Sequence, residues 1–509
     1  MTNAEPAPTS ESIARRDQQQ LRHNRLGVLA VAFFVISAAA PLTGMAGGAP
    51  VSMLLGNGPG IPSTYLVVTT VMLIFAVGYV AMARHHQSAG AFYSYVAHSM
   101  GGHAGGAAAW VALVGYNAMQ TGLYGLWGFA SSAYLSTLNS SWNIPWWVMA
   151  LLAWAIISVL GYRQIDLSLK VLGILVACEF VIVLIFDLMV LAKGGASASG
   201  QALNASSFSW GSFTTGSPAI GLLFAAASFV GFEATTIYSE EAKNPQRTIP
   251  RATYLAVLTI GLFFLFTSWL MVNAYGDNAT LQQFLVSDDL GGDPTNFLFA
   301  MAVPYIGEFL TMKVMLFLFA TSVFAALLAF HNAVARYAYA LGREGLVPER
   351  LGRTHEVHLS PHMGSLSQSV LAFVVIVAFA VTKQDPVLHL FTWLTQLGTL
   401  AITYLMAVAA FAVLAFFAKR PGLESNPWRT KVAPIVSGVA LVLLSVFATA
   451  KFKDLTGAST GLTVTLVGLI PLGAAIGAVS AAVLKSREPE AFAQMGRNRA
   501  VQLHEPGLD

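Results

Sequence analysis

Apolar residues fill the chain in long runs separated by short polar turns. Twelve runs can be drawn, roughly 26–56, 62–83, 104–137, 146–162, 165–192, 216–240, 251–275, 309–341, 364–382, 387–418, 431–451 and 460–485. Each is long enough to carry a helix across a bilayer. Several exceed about 20 residues, so those helices tilt, bend or protrude. The pattern predicts an all-α polytopic membrane protein with twelve transmembrane helices. Residues 1–25 are polar and rich in Pro, Ser and Gln, which predicts a disordered tail, and 486–509 form a second polar tail.

Two of the runs are interrupted. Pro41 to Pro50 places two prolines and three glycines within ten residues of the first span, which a straight helix does not accommodate easily. In the sixth span, Ser228-Phe229-Val230-Gly231-Phe232-Glu233 sets a glycine and a carboxylate near the middle. Backbone freed at membrane depth must line a cavity or meet a ligand, and an intramembrane carboxylate is a functional-site hypothesis by default. Interrupted spans at matching positions of two halves point to a transporter's binding site. Thr43, Gly44, Ala46, Gly47 and Gly48 are therefore candidate solute-binding residues, together with Phe229, Val230, Gly231 and Phe232. The other reading of the glycines is close helix packing. Amides opening the second half-helix and carbonyls closing the first would match a solute's carboxylate and ammonium. Phe229 or Phe232 would close over the solute or simply pack. Glu233 has two compatible roles, holding the break together and carrying a proton.

The string Phe229 to Glu233, followed by Glu240 to Arg247 and by Ile249-Pro250-Arg251, resembles the sixth-helix signature of the amino acid/polyamine/organocation permeases. Ala46-Gly47-Gly48 is similar to that family's first-helix break, Ala89 to Tyr95 to its inner glycine-aromatic loop, and Arg343 to Pro348 to the motif after its eighth helix. The resemblance implies two inverted five-helix repeats with helices 1 and 6 broken, here 26–193 and 216–418, plus two C-terminal helices at 431–485. It also implies a secondary transporter of amino acids or related amines, working by alternating access. Lys170 coincides with a lysine that proton-coupled members carry where sodium-coupled relatives bind an ion, which would make it a coupling residue. Its other reading is an interface anchor that snorkels. Thr321 and Ser322 keep sodium coupling open. The alternatives are a sodium-coupled or exchange-type transporter of organic cations, or a non-transporting solute sensor on the same fold.

Composition agrees with the membrane reading. Only 10% of residues are charged and 56% are hydrophobic, against about 25% charged in soluble domains. With the N-terminus inside, Lys and Arg fall overwhelmingly on the inner side and only Lys193, Lys383, Lys451 and Lys453 fall outside. Both termini are predicted cytoplasmic, in the cell membrane. Tyr116, Asn117 and Gln120 share one region of the third span; Asn117 lines the path or bonds a neighbouring helix. Glu179 lies in the fifth span without an assigned partner, and Asp187 nears the outer end of that span, where an interfacial position is expected. No cofactor or metal is expected. His85-His86, the aspartates of 276–304 and His355-Glu356-Val357-His358 lack ligand spacing. Gly56 to Gly60 is a turn rather than a phosphate loop. Cys178 is the single cysteine, so no disulfide framework exists. No clustered catalytic residues suggest an enzyme, and no basic-aromatic run suggests nucleic acid. The expected partners are a small-molecule solute, a coupling proton or sodium ion, and the bilayer.

Overall fold

The computed structural model describes residues 27–86, 91–163, 169–196, 201–237, 242–355 and 360–496. The N-terminal tail, residues 497–509 of the C-terminal tail, Ala89-Gly90, Glu240-Glu241 and Glu356 to His358 lie outside the described residues, as does the side chain of Lys170. The nearer part of the C-terminal tail is described and forms a short helix, Pro489–Ala493. Among the described residues the chain is helical and forms no strand.

Helix α1 (Val28–Ala38) leads through a bend and a wide turn into α2 (Ala49–Leu55). There follow α3 (Ile61–Ala83), the short α4 (Ala91–Met100), α5 (Gly102–Leu138), α6 (Trp146–Arg163) and α7 (Leu169–Ala192). The next interrupted run yields α8 (Pro218–Ala227) and α9 (Ala234–Ile237). Then come α10 (Pro245–Tyr275), α11 (Phe297–Ile306), α12 (Leu316–Arg343), α13 (His362–Val381), α14 (Thr392–Lys419), α15 (Ala433–Thr456) and α16 (Thr460–Arg487). Among the described residues nine helical stretches are individually long and apolar enough to cross a membrane. The chain is a multi-pass membrane protein. The remaining predicted spans correspond to the two interrupted runs and to α5, the longest helix at 37 residues.

The centre of the bundle is α5, which packs against α14, α16, α12, α6 and α4. Small residues permit these approaches. A Cβ on Gly398 of α14 would come within 2.6 Å of the Gly115 carbonyl on α5, and Gly477 of α16 lies against the Gly106 carbonyl. The outer faces of α6, α13, α15 and α16 expose Val159, Val374, Phe447 and Val479, as lipid-facing helices do.

The first interruption differs from the expectation in its position. The backbone leaves the helix at Ala39–Ala40, and Ala40 adopts φ +43°. Pro41 explains this, because a proline disfavours α geometry in the residue before it. Thr43–Gly48, expected to unwind, instead forms a widened π-type turn, with the Ala49 amide donating to the Gly44 carbonyl. Such widened turns recur at functional sites.

Candidate functional site

The second interruption is a run of tight turns. The Phe229 and Val230 amides donate to the Ala226 and Ala227 carbonyls, three residues back. Gly231 then adopts φ +108°, a conformation that only glycine takes without strain. Its N–H donates to Glu233 Oε2 at 2.9 Å. The other oxygen, Oε1, accepts from the Tyr116 hydroxyl of α5 at 2.5 Å. Tyr79 of α3 donates to the Glu233 backbone carbonyl at 3.1 Å. Glu233 is thus a clamp across the break, fastened to α5. The amides of Phe229, Val230 and Gly231, expected to be free for a solute, all have partners within the chain.

The two interruptions meet across one cavity of about 70 Å³, room for several waters or part of a small solute. Ala39, Ala40, Thr43, Gly44 and Gly48 line it from the first interrupted helix, and Ala227, Ser228 and Val230 from the other. Met119 and Leu123 of α5, Phe224 of α8, Ala326 and Phe330 of α12, and Phe391, Thr395 and Gln396 at the start of α14 complete the wall. The breaks approach each other closely, since a Cβ added to Gly44 would lie 3.6 Å from Ser228 Oγ.

The predicted residues therefore divide. Thr43, Gly44, Gly48 and Val230 reach the cavity wall. Ala46 is fully buried, and Gly47 packs against Leu126, where an added Cβ would fall 2.6 Å from Cδ2. Phe229 is buried away from the cavity. Phe232 turns into an aromatic cluster, its ring 5.9 Å from that of Phe75 and 6.0 Å from that of Tyr79. Asn117 returns its amide to the Leu113 carbonyl on its own helix at 2.7 Å. Gln120 bonds Tyr124 and Gln368 of α13. Lys170 starts α7.

Ser228, Thr395 and Gln396 are cavity residues that pattern reading passed over. Ser228 shares a 3.4 Å contact with the Tyr65 hydroxyl, and Thr395 donates to the Phe391 carbonyl at 2.8 Å. Gln396 differs: it is buried and its Oε1 has no hydrogen-bond partner among the described residues. An orphaned buried amide oxygen carries a desolvation penalty that a ligand or water relieves. A glutamine within an apolar span was the available signal.

Thr43 also connects the cavity with a second polar group. Its hydroxyl donates to Ser322 Oγ of α12 at 3.0 Å, and Ser322 donates to Glu179 Oε2 of α7 at 2.7 Å. The Leu42 amide faces the same carboxylate. Asp187, two turns further along α7, accepts from Thr267 of α10 at 2.8 Å.

Outside the membrane, Asp277 and Asp293 each cap a turn of the 276–296 loop. Asp277 accepts from Thr280 and the Ala279 amide, bonds that hold its carboxyl below the usual range. Asp293 accepts from the Thr295 hydroxyl and amide. Burial nevertheless pushes its carboxyl up to about 6.

Comparison with known proteins follows the same line. Residues 26–476 match a family model described as amino acid permease. The low-affinity putrescine importer PlaP of Escherichia coli is 24% identical over 62% of this chain and 67% of its own. The branched-chain amino acid permease BcaP of Bacillus subtilis is 22% identical over 76% and 79%. The L-asparagine permease of Salmonella typhimurium is 23% identical over 81% of each. Among solved structures, a manganese transporter of Eremococcus coleocola superposes with a TM-score of 0.54 at 14% identity, over 92% of this chain and 97% of its own. That likeness concerns the fold.

Proposed function

Because the chain belongs to the amino acid permease family, we propose that it is a secondary transporter whose solute binds between the two interrupted helices. The observation that carries this reading is the cavity whose wall both interruptions share. Alternating access would then follow from one bundle rocking against the other. Two inverted repeats over 26–193 and 216–418, twelve crossings in all and cytoplasmic termini complete the proposal.

The cavity also favours one cargo class. The residues lining it are apolar except for Thr43, Ser228, Thr395 and Gln396, and none of them is charged. A diamine or a basic amino acid would leave a cation without a counter-charge in this wall, which is costly. A zwitterionic amino acid with a neutral side chain fits better, its polar groups meeting the hydroxyls and the orphaned Gln396 amide. Glu233 serves as the clamp of the break, and Lys170 remains a candidate for coupling.

The test is counterflow of labelled leucine, asparagine, lysine and putrescine in proteoliposomes. Neutral amino acids are expected to exchange, and Gln396→Leu is expected to weaken asparagine at least fivefold more than leucine. Putrescine or lysine exchanging faster than both neutral solutes would refute the cargo class. Exchange of none of them would refute the transporter reading.

A further inference from the structure

Glu179 is a carboxylate 1% exposed at membrane depth, where a lone charge is expensive. Its hydrogen-bond partners are neutral: the Ser322 hydroxyl and the Leu42 amide. Three separate elements meet on it, the Ala39–Gly48 segment of the first interrupted helix, α12 and α7. Ser322 in turn accepts from Thr43, which lines the cavity. The result is an unbroken row of oxygens from the solute cavity to a buried acid.

We propose that Glu179 takes up and releases the coupling proton, and that Thr43 and Ser322 conduct it between the cavity and the carboxylate. The inference rests on the cavity being the solute site. Donor directions already run the right way, from Thr43 to Ser322 to Glu179. A hydronium ion in the cavity gives its proton to Thr43 Oγ1. The Thr43 proton passes to Ser322, and the Ser322 proton passes to Glu179 Oε2. One O–H bond breaks in hydronium and one forms on the carboxyl, leaving water and an unchanged hydroxyl pair.

Geometry ties that proton to conformation. As an anion, Glu179 accepts from both the Leu42 amide and Ser322, drawing the first interrupted helix against α7 and α12. Once protonated it is a weaker acceptor, and the three elements part more easily. Rocking separates Thr43 from Ser322 and breaks the row, so the proton enters in one state and leaves in another.

Other titratable groups stand apart from this row. Helices α1, α10, α11 and α12 pack against α7. The described residues of α1 carry no titratable group. On α10, Arg247, Arg251 and Tyr254 sit toward one end and Tyr275 at the other. Tyr305 of α11 donates to the Gly195 carbonyl. On α12, His331 is nine residues beyond Ser322 and bonds Ser365, and Arg336, Tyr337, Tyr339 and Arg343 are further still. On α7, Asp187 bonds Thr267, Cys178 is exposed, and Lys170 starts the helix. Nine residues from Glu179, Lys170 is roughly 13 Å along the axis and half a turn around.

The experiment compares solute counterflow, which needs no proton gradient, with accumulation driven by an imposed one. Counterflow is read in proteoliposomes loaded with leucine, and gradient-driven accumulation of leucine in proteoliposomes without internal solute. Wild type is expected to do both. Glu179→Gln is expected to keep counterflow within about twofold, lose gradient-driven accumulation by tenfold or more, and lose its pH dependence. Ser322→Ala is expected to slow accumulation with counterflow intact. Accumulation by Glu179→Gln at the wild-type level and pH profile would overturn the proposal. Should Glu179→Gln lose exchange as well, Glu179→Asp decides: restored exchange with a displaced pH profile supports a proton carrier, and any other result overturns it. Absence of counterflow in wild type would instead overturn the solute site, and this inference with it.

Discussion

Removing the Tyr116 hydroxyl tests whether the break at Gly231 is held from outside its own helix. Tyr116→Phe keeps the ring and deletes one bond, the 2.5 Å donation to Glu233 Oε1. The carboxylate retains the Gly231 amide at 2.9 Å and its own backbone amide, both within the break itself. A hydrogen bond to a charged acceptor contributes about 1.5–3 kcal/mol, much of it the cost of leaving a buried acceptor unmet. If the bond favours the binding-competent shape of the break, that energy corresponds to roughly a 10- to 150-fold fall in its population. The apparent solute affinity should fall by the same factor, measured by equilibrium binding to the purified protein. Melting should drop by no more than a few degrees, since one bond is lost from a large structure. Tyr337→Phe is the control. Its ring lies 6.0 Å from that of Tyr116, and its hydroxyl has no hydrogen-bond partner among the described residues. It should bind solute like wild type. Unchanged affinity in Tyr116→Phe, or an equal loss in Tyr337→Phe, would refute the clamp.

Other outcomes follow from the same geometry. Gly48 lines the cavity and a Cβ there meets no atom within 4 Å, so Gly48→Leu should melt like wild type while counterflow falls at least tenfold. Normal counterflow would place the solute elsewhere. Asp293 lies in the 276–296 loop, with its carboxyl raised to about 6 because burial disfavours its charge. The folded state therefore holds this proton more tightly than the unfolded chain. The stability it contributes is complete below the ordinary aspartate value and is lost as pH rises through about 6, roughly 3 kcal/mol over that window. Asp293→Asn keeps an acceptor for Thr295 and has nothing to ionise. Its melting temperature should thus rise relative to wild type between pH 4 and 7, and parallel melting curves would contradict this.

What the sequence made legible follows from which forces act locally. Span positions are readable because each helix must satisfy its own backbone in lipid, so hydropathy and length suffice. The two interruptions are readable because proline and glycine act on their own backbone and their immediate neighbours. Even here the break fell four residues before the first of the glycines: Pro41 displaced Ala40, while Gly44, Gly47 and Gly48 stayed helical in a widened turn. Side-chain roles depend on partners far along the chain and were less accessible. Glu179 and Ser322 are 143 residues apart, and Tyr116 and Glu233 are 117 apart. No periodicity encodes either pair. The direction of Phe232 was equally hidden, because an aromatic beside a break can close a cavity or fill a cluster, and only Phe75, Tyr79 and Phe92 decide which. Gln396 is the instructive residue of the set. Its polarity within an apolar run was visible from the start, yet its meaning came only from the absence of a partner for its buried Oε1. A polar side chain in a membrane span is therefore best weighed by whether neighbouring helices satisfy it. Gln120, bonded to Tyr124 and Gln368, holds helices together. Gln396, left open on a cavity wall, has capacity to spare for a solute.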